Sequence, residues 1–257
     1  MVHWGQSIRQ LGQRRGENQD MNEWKGREGT PNTSDTCRIA FQNIHGIHSR
    51  TTPLETKVHE LVDNMEKNRI EILGVSEHHL SMANPRWRKR LSDAVNTIRP
   101  AQITHRFDSG PENDTFGRLV GGTGIFVKGS MTGRIEPAGK GGDVMGRWSF
   151  VHLRRHRRPP VTVIAVYQVC PTPTNAIGDT AWHQQRRYLD LHQRDDEHPR
   201  EAFVKDLTKF IRSLQARKHG IIVGGDWNDW LGSSNSRLLR VSTNLQLLDP
   251  WIILHPE

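Results

Sequence analysis

The chain has 257 residues and a formal net charge of +8, with 36 Lys and Arg against 28 Asp and Glu. That length suits one large α/β domain or two small ones. Hydrophobic residues make up 34% and no apolar run approaches the ~18 residues of a membrane span, so no membrane segment is expected. Two cysteines, Cys37 and Cys170, are too few for a disulfide scaffold or a thiolate zinc site, so they read as small core residues in a reduced compartment.

Residues 1–36 carry five basic and five acidic side chains and almost no apolar periodicity. They read as a disordered polar tail, with no apolar stretch in Met1–Gln6 to suggest a secretory signal. The positive excess therefore belongs to residues 37–257, which read as one domain. A basic balance favours a polyanion as partner.

Arg38–Ile44 is the first expected strand, ending at Asn43. Val58, Leu61, Val62 and Met65 fall at helical spacing within a helix over 54–68, and Ile70–Ser76 then forms a second strand that delivers Glu77. Strand, helix, strand suggests a crossover unit, which would place Asn43 and Glu77 at one edge of a sheet if the strands are parallel. Arg88, within Trp87–Arg90, fits a phosphate contact or a solvated helix face. Residues 105–118 read as loop. Gly121–Lys128 is a glycine-rich approach to a strand and lacks the Lys-Ser/Thr of a phosphate-cradling loop.

Trp148–Leu153 and Val161–Tyr167 form a hairpin whose tip carries Arg154, Arg155, Arg157 and Arg158. The tip suits nucleic acid or a charged edge that discourages sheet-to-sheet association. Residues 176–199 read as polar loop, with His183, His192 and His198 solvated. Phe203, Leu207, Phe210, Ile211 and Leu214 line one face of a helix over 199–218. Ile221–Val223 then climbs to Gly224-Gly225 and delivers Asp226 and Asn228. His78 and His79 do not suit zinc, since neighbours on a strand point to opposite faces.

Three strands thus end in Asn43, in Glu77, and in Asp226 with Asn228, while a fourth ends in Tyr167. Each residue alone fits a turn, a solvated carboxylate or a half-buried aromatic. Together they are oxygen-rich and free of thiolate, which suits a hard cation, Mg²⁺ or Mn²⁺, beside a phosphate. A carboxylate across the site could take a proton from water, and amides and a phenol could donate to phosphate.

The segments Phe41-Gln42-Asn43, Val75-Ser76-Glu77, Gly122–Val127, Val166-Tyr167 and Gly224–Asn228 resemble, in order, those of the endonuclease/exonuclease/phosphatase superfamily. The resemblance implies a two-sheet α/β sandwich with helices on its outer faces. It also implies a metal-dependent phosphodiesterase acting on nucleic acid, DNA before RNA. The helix before Gly220 and the Gln-rich segment ahead of it resemble retroelement-encoded endonucleases, which implies a monomeric domain of a longer polyprotein.

By position, Glu77 would bind metal with Asn43 beside it, Asp226 would orient or deprotonate water, and Asn228 would contact the phosphate. Tyr167 would stand near the phosphate, though Tyr-Gln-Val-Cys-Pro departs from the superfamily's Tyr-x-Pro-Asn. The superfamily's closing Ser-Asp-His motif has no counterpart after Asn228, where the one histidine is His255. The expectation is a sandwich incomplete at its C-terminal side and impaired by it. A non-catalytic nucleic-acid-binding relic and a phospholipid or inositol-phosphate phosphoesterase stay open as alternatives.

Overall fold

The computed structural model describes residues 4–5 and 36–249, apart from 50, 99–101, 111–119, 173–177 and 230–235. The expected polar tail therefore lies almost wholly outside the described residues. The exception is strand β1, Trp4–Gly5, which pairs in parallel with Ile39–Ala40. One sheet holds β1, β2 (Ile39–Asn43), β3 (Ile72–Ser76), β5 (Thr123–Lys128) and β4 (Ile103–Asp108), in that spatial order. The other holds β6 (Ile135–Gly142), β7 (Trp148–Arg155), β8 (Arg158–Tyr167) and β9 (Gly220–Asp226). Both are mixed, and a short 3₁₀ turn, Gly129–Arg134, joins β5 to β6.

Period-two alternation sorts each strand between two surfaces. Ile39, Ile72, Ile125, Val151, Val163 and Ala165 meet between the sheets. Ala40, Leu73, Val75 and Phe126 face outward beneath α1 (Leu54–Lys67) and α2 (Pro85–Ile98). In the second sheet Ile164 and Val166 face outward onto Phe203, Leu207, Ile211 and Leu214 of α4 (Pro199–Ala216). The result is helix, sheet, sheet, helix, as expected. No helix among the described residues is long and apolar enough to cross a membrane.

Two elements correct the sequence reading, and a third adds to it. The segment over 105–118 is not all loop, since β4 runs through Asp108 and pairs with β5. Residues 176–199 are not all loop either: Ala181–Leu191 forms α3, with His183 inside it, His192 at its C-cap and His198 as the N-cap of α4. Gln184 and Gln185 are buried on α3, so its inward face does not read as apolar. Arg237–Leu245 forms α5, capped by Ser236, whose hydroxyl accepts from the Leu239 amide.

The separation of the sheets is set by Phe41. A Cβ added at Gly74 on β3 would lie 2.5 Å from Phe41 Cδ1 and 2.9 Å from Ala165 Cβ, and one added at Gly224 on β9 would press on the same ring's other edge. One aromatic from the first sheet thus fills space that two glycines leave. Overpacking a close-packed interior costs about 1–3 kcal/mol, so Gly224→Ala is expected to destabilise the fold by about that amount. Gly224→Ala combined with Phe41→Leu is expected to recover part of it. Urea denaturation of the two variants checks this, and a double variant less stable than the single one contradicts it.

Burial also holds imidazoles neutral, His105 and His152 among them. The pKa of His105 falls to about 4 through burial, with Lys140 adding to it. His152 falls to about 4 through burial, then His219 and Arg217, against Glu136. In the unfolded chain the same rings take up protons near pH ~6.5. Their contribution is therefore whole above that pH and is lost as pH falls from about 6.5 to about 4. His105→Phe keeps a ring against Phe107 and Phe126. It is expected to flatten the fall in urea midpoint between pH 7 and 4.5, and parallel slopes for variant and wild type contradict the assignment.

Candidate active site at the strand tips

The parallel register Asn43↔Ser76 ends β2 and β3 at one level, and Tyr167↔Asp226 does the same for β8 and β9. Asn43 continues the parity of Ile39 and Phe41, Tyr167 that of Val163 and Ala165, and Asp226 that of Ile222 and Gly224. All three therefore lie on the inner faces of the sheets, at the edge where their C-terminal ends open. The Asn43 Nδ2 donates to Asp226 Oδ2 at 2.6 Å, joining tips that are 183 residues apart. The Asn228 amide nitrogen donates to Asp226 Oδ1 at 3.1 Å. Both oxygens of Asp226 are thus fixed by donors.

Glu77 reaches the same place by a different route. Alternation would give the inner face to Ser76, which is buried. Glu77 instead adopts a left-handed conformation, φ 57°, which costs a non-glycine residue roughly 1–2 kcal/mol. Its backbone is held on both sides: Glu77 N donates to Gly122 O at 2.8 Å, and Gly46 N donates to Glu77 O at 2.6 Å. His45, which the sequence reading passed over, meets the Glu77 carboxylate through Nδ1 at 3.2 Å.

Burial raises the Tyr167 phenol above its ordinary pKa, and the charge of Glu77 and then that of Cys170 add to it, with Asp226 contributing and Glu77 also serving as hydrogen-bond partner. The phenol therefore stays protonated, a donor rather than an oxyanion. Gly121 lies against its ring: a Cβ there would come 2.9 Å from Tyr167 Cε1.

Asn228 is left-handed too, φ 42°, and its amide is held at both ends. Its Nδ2 donates to Gln168 O at 2.7 Å, and its Oδ1 accepts from Cys170 Sγ at 3.2 Å. Cys170 is exposed at the site rather than a small core residue, which corrects the sequence reading. Its thiol pKa is raised by burial of the sulfur and by the Asp226 and Glu77 carboxylates.

The structure thus gathers Asn43, Glu77, Tyr167, Asp226 and Asn228. It does not bring the arginines to them. Arg154, Arg155, Arg157 and Arg158 are exposed at the opposite end of the ten-residue β8, about 30 Å from Tyr167 at ~3.3 Å per residue. Arg88 is exposed on α2, beside a cleft of about 570 Å³ bounded by Phe107, Arg187 and Tyr188. His78 is buried after β3, not on it, with Nε2 on Asp108 O at 2.8 Å and Nδ1 accepting from Leu80 N at 3.0 Å. Both ring nitrogens are spent, so zinc is excluded there for a reason other than strand alternation.

Among the described residues no three His, Cys, Asp or Glu side chains cluster around one point. The donors at the tips are oxygens of Glu77, Asn43 and Asp226. Glu77, with its side chain 16% exposed, meets His45 Nδ1 and the Tyr167 phenol, as Asp226 meets Asn43 and Asn228. One carboxylate with water completing the shell fits Mg²⁺ or Mn²⁺ and does not fit a soft metal.

Comparison with known proteins agrees with this architecture. No curated protein matches the sequence. Among solved structures, the 3′ phosphatase NExo from Neisseria, bound to a product DNA hairpin, superposes with a TM-score of 0.51 at 18% identity, over 85% of this chain and 75% of its own. That likeness shows the fold. The human Nocturnin catalytic domain gives 0.44 at 12% identity, over 84% and 72%. TDP2 from C. elegans gives 0.41 at 13% identity, over 74% and 47%. The profile of the Endonuclease/Exonuclease/phosphatase family matches residues 40–253, well over half of the chain, and with the two-sheet sandwich and its converging strand tips the chain belongs to that family.

Proposed function

We propose that this chain hydrolyses phosphodiester bonds in nucleic acid, DNA before RNA, as an endonuclease of retroelement type. The observation that carries the reading is the Asn43–Asp226 bond, which joins the tips of the two sheets beside Glu77 and the protonated Tyr167. The family membership and the DNA hairpin held by the NExo structure support nucleic acid as the substrate class. The retroelement type is supported by the resemblance of the Gln-rich segment and of the helix that precedes Gly220 to retroelement-encoded endonucleases.

In this reading Glu77, with Asn43 beside it, would hold Mg²⁺ or Mn²⁺, which would supply polarisation of a phosphoryl oxygen and charge neutralisation for the leaving oxygen. Water attacks phosphorus in line, and a P–O bond to it forms as the bond to the leaving oxygen breaks. Asp226, oriented by Asn43 Nδ2 and Asn228 N, takes the water's proton, and the leaving oxygen is protonated by solvent. Tyr167 and the second amide hydrogen of Asn228 donate to the equatorial phosphate oxygens.

Removing a general base costs about 10²–10⁴ in rate, so Asp226→Asn is expected to lower Mg²⁺-dependent nicking of supercoiled plasmid by that factor, with affinity for the same DNA changed less than twofold. Glu77→Ala is expected to lower nicking comparably and to shift the Mg²⁺ requirement to higher concentration. Nicking by either variant within a few-fold of wild type contradicts the assignment.

The arginine tip gives a separate test. A six-base-pair hairpin is about 20 Å long at ~3.4 Å per pair, too short to bridge from the strand tips to Arg154–Arg158. Replacing the four arginines by alanine is therefore expected to leave hydrolysis of that hairpin unchanged. The same variant is expected to weaken binding of long duplex DNA and to make it less salt-dependent. Equal loss on both substrates would place the tip's effect elsewhere.

A further inference from the structure

Past the paired tips of β8 and β9 the backbone ladder meets a difficulty. Gln168 N donates to Asp226 O at 2.8 Å as the last backbone rung. Two residues beyond each strand end stand Val169 O and Asn228 O. Both are acceptors, so neither can satisfy the other. Arg200, at the second position of α4, supplies the missing donors: Nη1 to Val169 O at 2.7 Å and Nη2 to Asn228 O at 3.0 Å. A guanidinium presents such donors in a rigid planar fork.

The placement is costly. Arg200 is only 3% exposed, and its Nε has no partner. Asp229 stands 3.9 Å away. The same Asp229 oxygen already accepts from Arg237 N at 2.7 Å and Leu238 N at 3.1 Å at the start of α5. A buried cation whose nearest carboxylate is held in this long ion pair, and is itself spent on two backbone amides, is weakly compensated. Helix-to-sheet packing alone would be served by an apolar side chain.

We propose that Arg200 is a positioning residue for the strand-tip site: its fork sets the spacing between the tip carrying Tyr167 and Cys170 and the tip carrying Asp226 and Asn228, and so holds the Asn228 amide against Cys170. The inference rests on the reading of that site as the reacting centre. It does not require the chain to be active, because the Asn228–Cys170 bond reports the geometry without turnover.

The experiment uses the full chain with Arg200→Met and Arg200→Lys, and follows alkylation by iodoacetamide with peptide mapping. Cys37 serves as the silent control, because burial, with Glu71 adding to it, pushes its thiol up to about 12. Arg200→Met is expected to raise the alkylation rate of Cys170 about threefold or more as the thiol is freed from Asn228, and Arg200→Lys is expected to recover part of the wild-type rate. Leu207→Ala, in the buried face of the same helix, controls for general loosening and is expected to leave Cys170 near wild type. A small misplacement of reacting groups costs up to ~10²-fold, so on plasmid or hairpin the kcat of Arg200→Met is expected to fall about tenfold to a hundredfold with KM within twofold.

A Cys170 rate within twofold of wild type in folded Arg200→Met overturns the proposal, as does an equal rise in Leu207→Ala. If Arg200→Met does not fold, Arg200→Lys decides by the same thiol rate. A raised Cys170 rate in a protein whose wild type cleaves nothing sustains the positioning role and removes the nuclease reading instead.

Discussion

Everything at the site depends on two sheets ending at the same height. Asn43 of the first sheet donates to Asp226 of the second, and that contact exists only because Phe41, two residues earlier on the same strand, is seated between Gly74 and Gly224. The glycines allow the strands to approach the ring, the ring fixes the gap, and the gap brings an amide within reach of a carboxylate. Stability and site geometry are here one constraint. A side chain at either glycine would push apart the groups that meet one step along each strand.

Around that contact the side chains form a closed set of hydrogen bonds and charges. Asp226 is held by Asn43 and by the Asn228 amide, Asn228 by Gln168 and Cys170, and Glu77 by His45 with Tyr167 beside it. Such preorganisation suits a reaction in which charge develops at a place fixed beforehand. It also explains why burial matters at Tyr167. A phenol that remains protonated between two carboxylates can donate to an incoming phosphate, whereas a phenolate would repel it.

Much of this was legible in the sequence because alternation is arithmetic. Asn43, Tyr167 and Asp226 follow apolar runs whose parity puts them on the inner face, and the parallel pairing that aligns them follows from the helices between the strands. Glu77 was legible as the residue its strand delivers but not by its face, since its parity is wrong and a left-handed backbone turns it back toward the site. Strand β4 was hidden by two polar residues in its middle, His105 at a half-buried position and Arg106 at an exposed one. Helix α3 was hidden by Gln184 and Gln185, amides buried where apolar side chains are the usual sign. Arg200 gave no signal, because its partners are two backbone carbonyls whose meeting depends on the tertiary fold. The arginine tip was read correctly as a hairpin end, but only the strand direction of β8 shows that it lies far from the reacting groups.

The central claim is that four strand tips present one oxygen-rich site. It can be tested directly by titrating Mn²⁺ into ¹⁵N-labelled protein and following paramagnetic broadening of the side-chain amides. The account predicts that Asn43 and Asn228 broaden together at the lowest ion concentrations, with the arginine signals of residues 154–158 untouched. Broadening centred elsewhere, or Asn43 and Asn228 unaffected while the ion binds, would contradict it.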